Sequence, residues 1–475
     1  MMMSFISKDK VYRSMPFNMD VCLQLSSKRS WINDALVCEE LTRSVPNRRA
    51  TYRGKWRNLP VAIKCFYGNG ARRRLKREMA GWELIHELQL KAPKVLGTFV
   101  IRDNLTNKSI GFGALFEWIV NGRAAQLKNT EVLQEVVRGL SLAHSRNIIF
   151  RDPHAGNYLQ DSDYNLYLID GDSIRRKRNV GYRARAKNLA LLLAQIPELA
   201  DEKFSEVLRA YWSVSESSTV SSVQRMLPKF IQSERRSLYW RFLRKTLRNS
   251  SRFMKEVIRQ RTVVFVDSEN QLDTLDQFIT DPELLLSSGN LIKVGGSSAV
   301  GRINLGGTSM IVKKYVSKTA FQRFRRYLDP FPKWRRAWAF GHLCGLVGVP
   351  VAAPLVLVEI KGHFLEKTAY LLMRDAGHET LLDRVKSEKI GLVDIDRVAS
   401  LFNLMNRGSL VHGDLKATNI AMTDIGPVLL DLDSMKISNA RQGDIRRFFL
   451  NWEDSPGVFK KFADSFSNVG LYRKE

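Results

Sequence analysis

Four residue types recur in one order, twice, along the 475-residue chain. A lysine closing an apolar run comes first, then an aspartate, an asparagine five positions later, and another aspartate 17 or 18 positions after the first. One set is Lys64, Asp152, Asn157 and Asp170; the other is Lys313, Asp414, Asn419 and Asp431. This is the inventory that phosphoryl transfer asks of a protein, because that chemistry needs positioning and charge compensation rather than a covalent intermediate. A strand lysine neutralises nucleotide phosphates, one carboxylate orients the attacking hydroxyl, and an Asn and a further Asp hold magnesium between the phosphates. The D-x-x-x-x-N spacing puts Asp and Asn on one tight loop facing one cavity. Alone, each aspartate reads as a turn or cap residue and each lysine as a solvated side chain; the repeated order sets them apart. The doublets Asp170/Asp172 and Asp431/Asp433 leave open which member meets the metal, and the first is taken.

The surrounding pattern supplies elements to position these groups. In the first half, 51–66 alternates apolar and polar residues like a half-buried strand and carries Lys64. A basic helix over 72–88, a strand over 111–120 and a helix over 129–147 follow, leading into RDPHAGNYL and the strand-turn LYLIDGDSI. The second half repeats the order: a glycine-punctuated hairpin over 294–315, a helix over 332–348, a strand over 369–375, a helix over 394–408, then VHGDLKATNIAM and VLLDLDSM. Gly295 and Gly296 in that hairpin are candidates to cover phosphates, although a plain turn is the commoner role of such glycines. Glu78 lies in the helix after Lys64 and is a candidate ion-pair partner for it. The matching position of the second half is Ala337, so Lys313 lacks that partner or Lys314 is the functional lysine. Trp334 and Trp338, at i and i+4, read as core. Between the halves, 175–285 reads as mostly helical and basic, with a Ser/Thr-rich loop over 213–223 and an acidic, polar boundary near 265–285.

The catalytic-loop residues carry a family resemblance. HGDLKATNI with LLDLDSM resembles the bacterial lipopolysaccharide kinases, the Kdo/heptose kinase family, and RDPHAGNYL with LIDGDSI resembles a more divergent version of the same pair. The resemblance spans about 50–260 and about 290–470. It implies an α+β chain of two tandem protein-kinase-like domains, each with a small β-rich N-lobe and a helical C-lobe. The expected divisions are an N-terminal extension over 1–48, a first domain over 49–265, a linker over 266–288 and a second domain over 289–475. It implies ATP- and Mg2+-dependent phosphorylation of a heptose or Kdo sugar of the lipopolysaccharide inner core. Carried over by position, Asp152 and Asp414 are the catalytic carboxylates, Asn157, Asp170, Asn419 and Asp431 the metal ligands, and Lys64 and Lys313 the phosphate-binding lysines. Lys416 resembles a lysine set against the transferring phosphate, and His154 holds that place in the first copy; His412 orients the loop backbone. The first copy departs from the pattern with Phe150 where a histidine usually stands and Pro153 after the aspartate. A scaffold or regulator of core assembly, with one or both copies silent, is therefore the alternative. Neither copy shows a long activation segment, which favours small-molecule or glycolipid acceptors over protein ones.

Composition narrows the partners. The 75 Lys and Arg against 48 Asp and Glu leave a net charge of +27, which attracts polyanions. The basic stretch 225–261 is expected to grip a phosphorylated glycolipid or the anionic inner leaflet, as against the plainer reading of a solvated helix. Nucleic acid is disfavoured, since no helix-turn-helix, zinc-finger or RNA-platform signature is present. Four scattered cysteines point away from a zinc site or a disulfide framework and toward a reducing compartment. With no apolar run long enough to span a bilayer and no signal-peptide core, a cytoplasmic protein is expected, with peripheral attachment to the inner face of the inner membrane left open.

Overall fold

The strands of the first half close into a barrel around alternate apolar residues, among them Val21 and Leu23 on one strand and Val61, Ile63 and Cys65 on another. In the computed structural model, which describes residues 17–25, 31–45, 48–102, 108–197, 199, 201–214, 217–250, 252–266, 272–295, 298–316, 329, 331–362, 367–438, 440 and 442–472, the chain divides into two compact units at Ile231/Gln232. Helices and strands occur in both, an α+β composition.

Unit 1 begins with β1 (Phe17–Leu25), β2 (Trp31–Val45), β3 (Arg49–Trp56) and β4 (Leu59–Tyr67), followed by helix α1 (Ala71–Glu87), β5 (Val95–Arg102) and β6 (Ser109–Glu117). The strands close in the order β1-β2-β3-β4-β6-β5. Leu23, Leu36, Ile63, Phe99 and Leu115 fill the interior and are fully buried. Residues 17–25 and 31–45 are thus part of the barrel rather than an extension over 1–48; β1 pairs with both β2 and β5 and removes the open edge that a shorter sheet would expose. Below the barrel come β7 (Arg123–Ala124), α2 (Thr130–Ser145), β8 (Ile148–Phe150), β9 (Tyr158–Gln160), β10 (Leu166–Leu168), β11 (Ile174–Arg176), α3 (Tyr182–Leu193) and α4 (Asp201–Trp212). Helix α2 buries Val132, Leu133, Val136, Val137 and Leu140, a 3/4 stripe, and Asn129 caps it by accepting from the N–H groups of Glu131 and Val132. The division between the units falls within α5 (Ser217–Lys245). Residues 217–223 are therefore helical rather than loop; Ser and Thr are tolerated there within a helix of 29 residues.

Unit 2 contains β12 (Phe253–Ile258), β13 (Arg261–Val266), α6 (Leu272–Thr280), α7 (Pro282–Ser288), β14 (Asn290–Val294), β15 (Ser298–Leu305), β16 (Thr308–Tyr315), α8 (Lys333–Leu346), β17 (Pro354–Lys361) and β18 (Lys367–Arg374). Its sheet runs β12-β13-β17-β18-β16-β15-β14. Residues 253–266, placed in a helical region of the first domain by sequence, form a hairpin of this sheet. Val263, Val264, Phe265 and Val266 are strand formers, and β13 pairs along β17. The expected linker over 266–288 is also different, because Leu275 and Phe278 of α6 and Leu286 of α7 are buried in the core beside that sheet. The remaining elements are α9 (Leu381–Lys386), α10 (Leu392–Arg407), β19 (Leu410–Val411), β20 (Ile420–Thr423), β21 (Gly426–Leu429), β22 (Lys436–Ile437), α11 (Gln442–Phe449) and α12 (Pro456–Asn468). Trp334 and Trp338 are buried core residues.

The order β2-β3-β4-β6-β5 of unit 1 recurs as β14-β15-β16-β18-β17 in unit 2, with the lysine strand central in both. The small pairings recur too: β8 with β11 and β9 with β10 in one, β19 with β22 and β20 with β21 in the other.

Candidate active site

Register fixes where the first lysine points. Lys64 on β4 pairs with Thr51 on β3, which pairs with Arg43 on β2, so these three side chains share one face of adjacent strands. Lys64 Nζ lies 2.5 Å from Glu78 Oε1, 3.4 Å from Asp170 Oδ1, and donates to Ile169 O at 3.1 Å. Glu78 is wholly buried and also accepts from Trp82 Nε1 and from the N–H groups of Gly171 and Asp172. Such a reach requires α1 to lie on the 170–172 turn without side chains between them. A Cβ on Gly81 would stand 1.7 Å from Gly171 O, and one on Gly171 would stand 2.4 Å from Glu78 O. Both positions must be glycine for the helix to approach.

Asn157 and Asp170 complete this cluster. Asn157 Nδ2 donates to Asp152 O at 2.8 Å, folding the loop on itself, while its buried Oδ1 has no partner. Lys64, Asn157 and Asp170 line one cavity of about 210 Å³ together with Arg43, Arg49 and Thr51. Burial works to raise the Asp170 carboxyl, but Lys64, Arg49 and Arg43 together hold it below the usual carboxylate range. Asp172 turns elsewhere, pairing with Arg77 at 3.0 Å. The carboxylate of Asp152 is 71% exposed, and His154 Nε2 is 3.5 Å from it.

Unit 2 gathers the same types by a different route. Lys313 Nζ sits 2.7 Å from Asp431 Oδ1 and 2.9 Å from Asp433 Oδ2, and Tyr315 Oη donates to Asp433 Oδ1 at 2.7 Å. The loop thus supplies the lysine's counter-charge, where unit 1 uses a helix glutamate. Lys314 points away and pairs with Glu283 at 2.6 Å, which leaves Lys313 as the lysine of this site. Burial would lower the Lys313 ammonium, but Asp433 and Asp431 outweigh it and raise it. Burial raises the Asp433 carboxyl, while Lys313 overcomes burial at Asp431 and lowers it. Asp431 holds a left-handed backbone (φ 56°) that aspartate tolerates better than most residues. Asn419 Nδ2 donates to Asp414 O at 2.8 Å, repeating the loop closure of unit 1. Asp414 Oδ1 lies 2.6 Å from Arg447 Nη2 and 3.4 Å from Lys416 Nζ. Gly295 closes the β14–β15 turn by donating to Ser298 O at 2.8 Å, and Ser298 pairs with Tyr315, two residues from Lys313. Gly296 lies outside the described residues.

Several residues of these sites were not singled out by sequence. Asn188 of α3 bonds both the N–H and the carbonyl of Phe150, and Asp444 of α11 accepts from the N–H groups of His412 and Gly413 at 2.6 and 2.8 Å. Each fixes the backbone ahead of the Asp-containing loop from a helix downstream, 38 residues on for Asn188 and 32 for Asp444, with no local motif to mark it. His412 Nε2 contacts Leu430 O at 2.8 Å, tying that loop to the residue before Asp431. Arg43, Arg49 and Arg447 likewise become legible only through register and packing.

Among the described residues no group of three or more His, Cys, Asp or Glu could hold a metal alone. The Asn157–Asp170 pair fits magnesium in another way, since that ion is ordinarily held by one or two protein ligands with phosphate oxygens and water, and Asn157 offers an unpaired buried oxygen. No helix of the described residues is long and apolar enough to cross a membrane.

No family model and no curated protein matches the chain. Among solved structures, one titled WaaP in complex with acyl carrier protein is 16% identical, covering 40% of this chain and 88% of that chain at a TM-score of 0.30. A rhoptry kinase from Toxoplasma gondii is 12% identical, covering 34% of this chain and 51% of that chain at a TM-score of 0.26. Likeness of this degree is too slight to fix a fold.

Proposed function

We propose that the chain is a tandem kinase-like phosphotransferase that uses ATP and Mg2+ to phosphorylate a sugar hydroxyl, heptose or Kdo, of the lipopolysaccharide inner core. One observation carries the reading: around a single cavity, Lys64 reaches both Glu78 and Asp170 while the buried Oδ1 of Asn157 has no partner. An ammonium braced between two carboxylates is held where it can neutralise phosphate, and the Asn–Asp pair is the half-shell of oxygens that a phosphate-bound magnesium completes. When bound, magnesium supplies charge neutralisation across the phosphate oxygens. Asp152 and Asp414 orient the acceptor hydroxyl and accept its proton, and Lys416 and Arg447 add positive charge beside Asp414. The sugar acceptor rests on the catalytic-loop resemblance.

The cationic side of α5 supports a glycolipid or inner-leaflet surface as partner. Tyr239 and Leu243 are buried, whereas Arg236, Arg241 and Arg244, and Arg248 just beyond the helix, are exposed. Each such cation contributes about 1 kcal/mol near an anionic surface. A second reading, a regulator of core assembly with a silent first copy, is favoured by the exposure of Asp152, whose carboxylate only the His154 imidazole approaches among the described residues.

The test is transfer of labelled γ-phosphate from ATP to purified, dephosphorylated lipopolysaccharide by the full chain. Asp414→Ala is expected to abolish transfer at the second site, and Asp152→Ala at the first. Transfer that survives the double variant, or wild-type protein that binds no Mg·ATP, overturns the proposal.

A further inference from the structure

The sequence joining β2 to β3 in unit 1, VPNRR over 45–49, carries no glycine. Arg43 and Arg49 line the cavity beside Lys64. Arg43 sits at a break in the β2–β3 register between Leu41 and Arg43, and such a bulge re-aims the side chain that follows it. Arg49 and Thr51 are two residues apart on β3 and therefore share a face, the one that carries Lys64 across the ladder. Neither guanidinium makes a hydrogen bond or an ion pair with a described residue. Both nonetheless act on the Asp170 carboxyl across the cavity. Lys64 is already committed to Glu78, so two uncommitted cations face a space whose only carboxylate among the described lining residues is Asp170.

The size of that space matters. At about 210 Å³ it is smaller than the roughly 300–1,000 Å³ of pockets that enclose whole small molecules. Among the described residues its lining is polar at Thr42, Arg43, Arg49, Thr51, Lys64, Asn157 and Asp170, with a single aliphatic residue, Ile169. A phosphate chain fits such a lining, whereas a purine finds no apolar slot within it.

We propose that the first unit's cleft is a polyphosphate grip. Arg43 and Arg49 bind the phosphate chain of a nucleoside triphosphate alongside Lys64, and the site selects for the number of phosphates rather than for the base. The proposal rests on the nucleotide reading of Lys64 given above. Arginine is suited to the role because its planar fork donates two parallel hydrogen bonds to phosphate oxygens and stays charged at all working pH values.

The experiment uses the full chain with Mg2+ and an acyl-phosphate derivative of ATP, which acylates an amine lying beside its phosphates. Peptide mass spectrometry reads Lys64 and Lys313 separately. At Lys64, tripolyphosphate and GTP are expected to compete within a few-fold of ATP, and adenosine not at all. Arg43→Gln and Arg49→Gln are each expected to cut Lys64 labelling about tenfold or more, as loss of a charge-assisted hydrogen bond implies, with Lys313 labelling unchanged. Competition by adenosine as strong as by ATP, or labelling unchanged in both variants, overturns the grip while leaving nucleotide binding intact. No labelling at either lysine together with no Mg·ATP binding overturns the function proposed above instead. Should a glutamine variant fail a thermal-unfolding check, Arg43→Lys/Arg49→Lys replaces it, and the wild-type competition series decides without any variant.

Discussion

Removing the Glu78 carboxylate tests the positioning of Lys64 without reference to any substrate. In Glu78→Ala, Lys64 keeps Asp170 and Ile169 O, but Trp82 Nε1 and the N–H groups of Gly171 and Asp172 lose their acceptor in a region closed to water. Breaking a buried ion pair costs about 3–5 kcal/mol, and each stranded donor adds about 1–3 kcal/mol where water cannot reach it. Glu78→Gln should be milder. Its carbonyl can replace Oε1, which serves Lys64, Trp82 and Gly171, but its NH2 then meets the N–H of Asp172, a donor facing a donor. A cost of about 1.5–3 kcal/mol follows. Because the chain has two units, a single global unfolding energy is poorly defined. The assay is therefore peptide-resolved hydrogen exchange over 165–176 and 71–90, in native conditions. Protection there is expected to fall by about 100-fold or more in Glu78→Ala, the 3 kcal/mol lower bound expressed as a ratio, and less in Glu78→Gln, with unit 2 peptides unchanged. In a double-mutant cycle with Lys64→Met the two losses should be strongly non-additive. Unchanged protection in Glu78→Ala, or an additive cycle, would refute the reasoning.

Two further outcomes follow from buried polar groups. His342 is held neutral by burial, its pKa pushed down to about 3 from 6.5, against the rings of Trp338 and Phe253. The unfolded chain binds the proton more readily, so stability is complete above about pH 6.5 and is lost as pH falls toward 3. The loss at pH 5 is about 2 kcal/mol, and His342→Phe should flatten that part of the unit 2 stability profile in denaturant titrations. Asp444→Asn leaves one of the His412 and Gly413 N–H groups without its carboxylate oxygen, and should raise hydrogen exchange over 408–416 and lower transfer at the second site more than it raises KM.

The catalytic-loop sets could be read from sequence because their chemistry is local. Asp152 and Asn157, or Asp414 and Asn419, are five apart and close on each other through one side-chain-to-backbone bond. What escaped reading depends on contacts made far along the chain. Strand β1 joins the barrel through partners on β2 and on β5, about 80 residues away, and nothing in its own residues announces that closure. The hairpin 253–266 follows an arginine-rich helix, and charge obscured the β-branched run that forms the strands. Arg43 faces Lys64 only because a register break precedes it. Asn188 and Asp444 do their work by meeting backbone groups, which carry no sequence signature.

The two lysines also show why a missing glutamate in the second half was a poor guide. A buried ammonium needs an anion, and the fold does not prescribe its source. In unit 1 the nearest anion comes from α1, whose approach depends on Gly81 and Gly171, so displacement of that helix would leave Lys64 only Asp170 and the Ile169 carbonyl. In unit 2 it comes from Asp433, on the same turn as Asp431, with Tyr315 fixing the second oxygen and Arg336 of α8 donating to the backbone carbonyls of Asp433 and Phe331 rather than to the Asp433 carboxylate. Lysine and acidic turn there form a closed set, independent of any carboxylate on α8. The first site is thus tied to its helix by charge and the second to its own turn, so the same substitution on the helix, at Glu78 or at Ala337, acts on the lysine in one unit and leaves its ion pairs intact in the other.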